Sequence, residues 1–176
     1  MKIKSTKFKD LKIIISPVHS DKRGSFREVF KKKFFEKTKF VFSCSSVSKK
    51  NVLRGMHLQT KYEQGKYLSV LKGEIFDVAI DLRRKSKTFG KYFAIKLSDK
   101  NGLSLFVPPG FAHGFLGMKK ENIIYYNCTN YRAETCELGL QWNDKDVGIK
   151  WPIKNPIISD KDLNNISLSE YIINYG

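Results

Sequence analysis

The chain has 176 residues, enough for one domain whose core needs no disulfide or metal staple. Its 33 Lys and Arg against 17 Asp and Glu give a formal charge of +16, but the lysines are scattered in short clusters such as Lys31, Lys32 and Lys33. That spread marks solvated faces rather than a concentrated nucleic-acid or membrane-binding patch, so neither partner is expected. Cys44, Cys128 and Cys136 are odd in number and lack C-x-x-C spacing, which argues against a disulfide framework and a zinc knuckle. With a charged N-terminus and no long apolar run, neither a signal peptide nor a membrane span is expected, and the protein is read as soluble and cytoplasmic.

In chain order, a first strand is expected over residues 11–16, a helical segment over 30–37 and a strand over 40–48. Leu53-Arg-Gly-Met-His-Leu-Gln59 is strand-like around a glycine and carries one of only three histidines. Strands over 67–71 and 75–81 flank the Lys72-Gly73 turn. In the second, Asp77, Ala79 and Asp81 alternate with Phe76, Val78, Ile80 and Leu82, the period-two pattern of a strand with one polar face. Strands over 92–97 and 103–107 follow the Phe89-Gly90 and Asn101-Gly102 turns. Pairing must stop after Val107, because Pro108 and Pro109 have no N–H to donate. Gly110 permits the turn, and Phe111, His113 and Phe115 alternate into a strand over 112–118. Strands over 123–129 and 138–142 and a helix over 167–175 complete the chain. Many short strands without repeat or linker describe an all-β barrel or sandwich, and a jelly roll is the form that protects its edges.

Gly102, Pro108, Gly110 and His113 fit the second cupin motif, with Gly117 at its final Asn position. The first cupin motif needs His-x-His and a glutamate to hold a metal, and this chain has His57-Leu58-Gln59 with Glu63 following. An amide is a poor substitute for an imidazole ligand, so no metal or other cofactor is expected. The chemistry then falls to acid–base side chains.

The chain resembles the dTDP-4-dehydrorhamnose 3,5-epimerase family of metal-free cupins. The resemblance runs through Asp21-Lys-Arg-Gly-Ser-Phe-Arg-Glu28, Val52-Leu-Arg-Gly-Met-His-Leu-Gln59, Gln64-Gly-Lys66 and Gly73-Glu-Ile-Phe-Asp-Val-Ala-Ile-Asp-Leu-Arg83. It continues in order through Pro109-Gly-Phe-Ala-His-Gly-Phe115, Tyr126-Asn-Cys-Thr-Asn-Tyr131, Trp142-Asn-Asp144 and Ser159-Asp-Lys-Asp162. It implies one domain over residues 1–176, an all-β, cupin-type double-stranded jelly-roll β-barrel with short helices at the periphery and C-terminus. It also implies a homodimer paired through N-terminal strands.

The implied activity is epimerisation at C3, C5 or both of a nucleotide-linked 4-keto-6-deoxy sugar for cell-surface polysaccharide. Such a sugar has acidified protons beside its carbonyl, so inversion needs a base on one face, an acid on the other and a stabiliser for the enolate. By resemblance His57 is the base, Asp162 its partner, Lys66 the enolate stabiliser and Tyr126 the acid. Arg23 and Arg54 would take the diphosphate, Phe26, Glu28 and Tyr131 the base, and His113 the neighbourhood of the sugar. From the residues alone, Lys66 reads equally as a surface lysine, Tyr126 as a packed strand aromatic, Asp162 as a loop cap and His113 as a structural hydrogen bond. The family carries Gln-Asp-Asn where this chain has Phe42-Ser43-Cys44, which removes two amides that contact substrate. That change opens GDP-linked and heptose substrates beside dTDP-hexoses. Two other readings remain: a 3,4-ketoisomerase on the same scaffold, and a non-catalytic sugar-nucleotide or nucleic-acid binding module.

Overall fold

The computed structural model describes residues 1–175. Two antiparallel sheets face each other as a cupin-type jelly roll. The first has six strands in the order β1 (Lys2–Ser5), β2 (Lys12–Ile15), β10 (Leu103–Val107), β7 (Lys66–Lys72), β12 (Glu121–Cys128) and β5 (Phe42–Lys49). The second has five, in the order β13 (Glu137–Gly139), β6 (Leu53–Gln59), β11 (Phe111–Gly117), β8 (Glu74–Asp81) and β9 (Tyr92–Ser98). A separate ribbon pairs β3 (Val18–Asp21) with β4 (Gly24–Arg27). Two helices, α1 (Asp160–Leu163) and α2 (Leu168–Tyr175), follow the last strand.

Alternation along each strand sorts the side chains into layers. Leu68, Val70, Ile75, Ala79, Leu105, Phe115 and Ile124 point between the sheets and form the central core. Met56, Leu58, Val78, Ile80 and Ala112 point outward from the second sheet, where the C-terminal segment covers them with Leu140, Leu168 and Tyr171. Tyr67 and Phe106 point outward from the first sheet beneath Phe30, Phe35 and Phe40.

Four expectations change. Residues 30–37 form only a 3-10 turn, Lys32–Phe35, because Phe30 and Phe35 stack on each other and pack edge-on against Tyr67. The β8 strand has no solvated face: Asp77 and Asp81 are fully buried, since the second sheet is covered on both sides. Arg83, Ser86 and Thr88 satisfy the Asp81 carboxylate. The strand expected over 138–142 begins at Glu137 and ends at Gly139. The loop expected around Asp162 is the short helix α1, capped by Ser159, whose hydroxyl oxygen accepts from the Asp162 N–H.

Candidate active site

His57 and His113, both read from the sequence as glycine-flanked, are direct cross-strand partners on β6 and β11. Their strands can approach because neither Gly55 nor Gly114 has a side chain. A Cβ on Gly114 would lie 2.6 Å from Met56 Sδ and 2.7 Å from the Arg54 carbonyl. Both imidazoles therefore face the space between the sheets, in a cavity of about 740 Å³.

Each histidine has a carboxylate. His57 Nε2 lies 2.6 Å from Asp162 Oδ1, and the other Asp162 oxygen accepts the Gly55 N–H at 3.0 Å. Burial alone would raise the Asp162 pKa, but those two hydrogen bonds outweigh it and hold the group below the ordinary carboxylate value. Of the two readings from the sequence, partner or cap, the structure gives the first: Asp162 lies in α1 and engages His57, while Ser159 supplies the cap. His113 Nε2 lies 2.9 Å from Asp77 Oδ2, and both side chains are buried.

The opposite wall comes from the first sheet. Tyr126 on β12, Lys66 on β7 and Phe42, Cys44 and Ser46 on β5 line the same cavity. The registers Cys128 with Lys66, Tyr126 with Cys44 and Cys128 with Phe42 put these side chains on one inward face. Tyr126 Oη lies 3.3 Å from Ser46 Oγ. Desolvation raises the phenol's pKa well above its ordinary value, so Tyr126 keeps its proton at neutral pH. Desolvation also lowers the Lys66 pKa, with Cys128 and Glu137 acting in the opposite sense. The Cys128 thiol is pushed up to about 12, chiefly by burial, and stays protonated.

Arg54 stands at the exposed rim, its guanidinium donating to Ser48 Oγ at 2.9 Å and to the Val47 carbonyl. The Phe42 ring stacks on Tyr131 with centroids 5.8 Å apart, and Tyr131 is 66% exposed. Within one chain, Tyr131 reaches the cavity only through Phe42, and three further predicted contacts are not brought to it. Arg23 pairs with Asp21 at the tip of the β3–β4 ribbon, Phe26 is 67% exposed on the same ribbon, and Glu28 pairs with Lys31. Sequence reasoning passed over Glu137 and Lys161, which line the cavity, and Asp77 behind His113. Asp77 was visible only as part of the polar alternation it shares with Asp81. Glu137 carried no local signal, and Lys161 showed only as a member of the Ser159–Asp162 stretch.

Gln59, at the position of a cupin metal ligand, spends its amide on backbone. Its Nε2 donates to the Tyr62 carbonyl at 2.7 Å and its Oε1 accepts the Ala133 N–H at 3.1 Å.

The result is a cupin-type jelly roll in which a histidine backed by a helix carboxylate on one side of the cavity faces a tyrosine on the opposite sheet. The chain matches the family model for dTDP-4-dehydrorhamnose 3,5-epimerase over residues 5–170. It is 42% identical over 170 residues to the dTDP-4-dehydrorhamnose 3,5-epimerase of Shigella flexneri, covering 93% of this chain and 94% of that one. The crystal structure of the Elizabethkingia anophelis dTDP-4-dehydrorhamnose 3,5-epimerase superposes with a TM-score of 0.89 at 40% identity, covering 97% of each chain. A Legionella pneumophila dTDP-6-deoxy-D-glucose-3,5-epimerase, solved with dTDP-4-keto-L-rhamnose, gives 0.90 at 38% identity over 96% of this chain and 93% of that one. The chain belongs to the dTDP-4-dehydrorhamnose 3,5-epimerase family and is an isomerase of the nucleotide-sugar epimerase type.

Proposed function

We propose that the protein inverts C3, C5 or both of a nucleotide-linked 4-keto-6-deoxy sugar by proton abstraction and reprotonation through an enolate, in cell-surface polysaccharide synthesis. One observation supports the reading: His57 and Tyr126 stand on opposing sheets, with the cavity between them. His57, its Nε2 bonded to Asp162, takes the proton on one face. The Asp162 carboxylate stabilises the imidazolium that results. Lys66 offers an ammonium to the enolate oxygen. Tyr126, which keeps its proton at neutral pH, returns one to the other face. Arg54 at the rim suits the diphosphate, because a guanidinium matches phosphate oxygens. His113, fixed by Asp77, borders the sugar. The same base can serve both carbons.

Phe42 and Cys44 offer no amide to a nucleobase, and the Phe42–Tyr131 stack offers a flat face instead. The substrate is accordingly a dTDP- or GDP-linked sugar, and the assay must include both. Arg23, Phe26 and Glu28 fit the nucleotide only if their ribbon reaches the cavity of a second copy, so the working unit is an isologous homodimer. A cytoplasmic site of action fits a substrate of the nucleotide-sugar class.

The test is incubation with dTDP- and GDP-linked 4-keto-6-deoxy sugars in deuterated water, followed by NMR. Loss of the C3 or C5 proton signal with inversion is the expected result. Exchange at neither carbon of any substrate defeats the reading, and a ketone shifted from C4 to C3 identifies a ketoisomerase instead. Sizing chromatography at micromolar concentration should give a dimer, and a monomer would reject the shared site.

A further inference from the structure

The His57–Asp162 pair rests on α1, a helix of four residues that its own backbone bonds hold only weakly. Beside Asp162 in that helix, Lys161 extends along the cavity wall, and its ammonium lies 2.6 Å from Glu137 Oε2. Glu137 belongs to β13, the strand paired to β6, in a register that sets Gly139 opposite His57 and Glu137 opposite Gln59. Glu137 is thus the diagonal neighbour of His57 on the inward face. It lines the cavity with its side chain 13% exposed. Its second cation, Arg132, lies 3.0 Å away and also pairs with Glu134.

The geometry points to Glu137 as a positioning residue for the proposed base: it sets a second negative charge beside the imidazole, and its bond to Lys161 holds that ammonium off the Asp162 carboxylate. This inference rests on the epimerase reading for its kinetic consequence but not for its structural one. Asp162 alone orients the ring, and its charge is offset by the neighbouring Lys161. Glu137 neutralises that lysine, which leaves the Asp162 charge available to the imidazolium. Desolvation acts to raise the Glu137 pKa, yet Lys161, Arg132 and the His57 imidazolium together hold it low, so the carboxylate is ionised at neutral pH.

The other charged or titratable groups around His57 are fixed by other elements. Arg54 lies on its own strand, and His113, backed by Asp77, on β11 and β8. Lys66 and Tyr126 face it from the opposed sheet with the thiols of Cys44 and Cys128. None of them bonds to Glu137 or Lys161, and of these groups only Lys66, whose charged form Glu137 favours across the cavity, feels a change in this pair.

The test uses the full-length protein and follows the imidazole C–H signals by NMR against pH. Only three histidines are present, and His57→Asn assigns the signal of interest. Glu137→Gln removes a negative charge of nearly the same shape, and the pH at which His57 loses its proton should fall by about half a unit. Lys161→Met removes the positive charge, and that pH should rise by a similar amount. The double variant should return close to the wild type. In active enzyme the acid limb of the kcat/KM profile should move in the same order, and Lys161→Arg should restore the wild-type profile. Midpoints that stay put, or that move together in both single variants, overturn the inference. Variants that shift in this order, with a wild type that exchanges no substrate proton, instead defeat the epimerase reading and leave this one standing.

Discussion

Replacing Tyr126 with phenylalanine separates the two halves of the proposed reaction. The change removes one hydroxyl and its hydrogen bond to Ser46 at 3.3 Å, while the ring stays in its place on β12. A lost hydrogen bond of this kind costs about 1 kcal/mol of stability, against the 5 to 15 kcal/mol, roughly, that holds a domain of this size together. Loss of a positioned general acid costs about a hundredfold to ten-thousandfold in rate, equivalent to about 3 to 5 kcal/mol of activation energy. The kinetic effect therefore exceeds the structural one, and a folded, slow enzyme is expected. His57 sits on the opposite sheet and can still remove a proton and return it to the same face. In deuterated water, Tyr126→Phe should lose inversion while keeping part of the solvent exchange. His57→Asn should lose both, because an amide cannot accept the proton. The reasoning fails if Tyr126→Phe inverts its substrate at the wild-type rate, or if His57→Asn still exchanges.

Lys66→Met should cut turnover at least a hundredfold while melting at the same or a higher temperature, since a desolvated ammonium in the cavity is a burden on folding; a marked fall in melting temperature would refute that. Gly114→Ala drives a Cβ into Met56 and the Arg54 carbonyl, and should lower stability by about 1 to 3 kcal/mol and activity with it, as a denaturation series and the exchange assay would report. Asp81, Asp162 and Glu137 have pKa values lowered in the folded state, so they add stability above the unfolded-chain values of 3.8 and 4.5 and lose it as pH falls through the lowered ones. Melting temperature should accordingly hold from pH 7 to 5 and drop by pH 3, and a flat profile would contradict the sign. Activity should survive EDTA, because both ends of the Gln59 amide are engaged by backbone; complete loss restored by a divalent metal would overturn this.

The parts of the fold that could be read from the chain are those whose signals are local. Pro108, Pro109 and Gly110 dictate where β10 ends and β11 begins, and the alternation after them holds in the structure. The β3–β4 ribbon escaped notice because Val18–Asp21 and Gly24–Arg27 are short and polar, held by a turn in which Arg23 bonds Asp21 rather than by an apolar stripe. Strand β1 hid in the same way, with Lys2 and Lys4 alternating around Ile3. Family motifs led to His57, Lys66, Tyr126 and Asp162, yet no motif shows that His57 and His113 are cross-strand partners or that Asp77 stands behind the second. Glu137 and Lys161 are 24 residues apart in the chain and meet only because β13 pairs with β6. Periodicity reads one strand at a time; register between strands is a property of the finished barrel.

The position of β5 divides the cavity by how freely its walls can change. His57 lies on a strand bonded on both sides, to β13 and β11, and Tyr126 on one bonded to β7 and β5. A backbone shift at either is resisted by two ladders. Strand β5 is an outermost strand, bonded only to β12, and it carries Phe42, Cys44 and Ser46 into the cavity. Phe42 and Cys44 can be rewritten, and the strand can slide or tilt by a fraction of an ångström, without disturbing a ladder on its far side. The proton-transfer groups are thus bolted to the interior of the sheets, and the wall that meets the rest of the substrate hangs on a margin. A lineage, or an engineer, can exchange one sugar nucleotide for another along that margin while the acid and the base stay where they are.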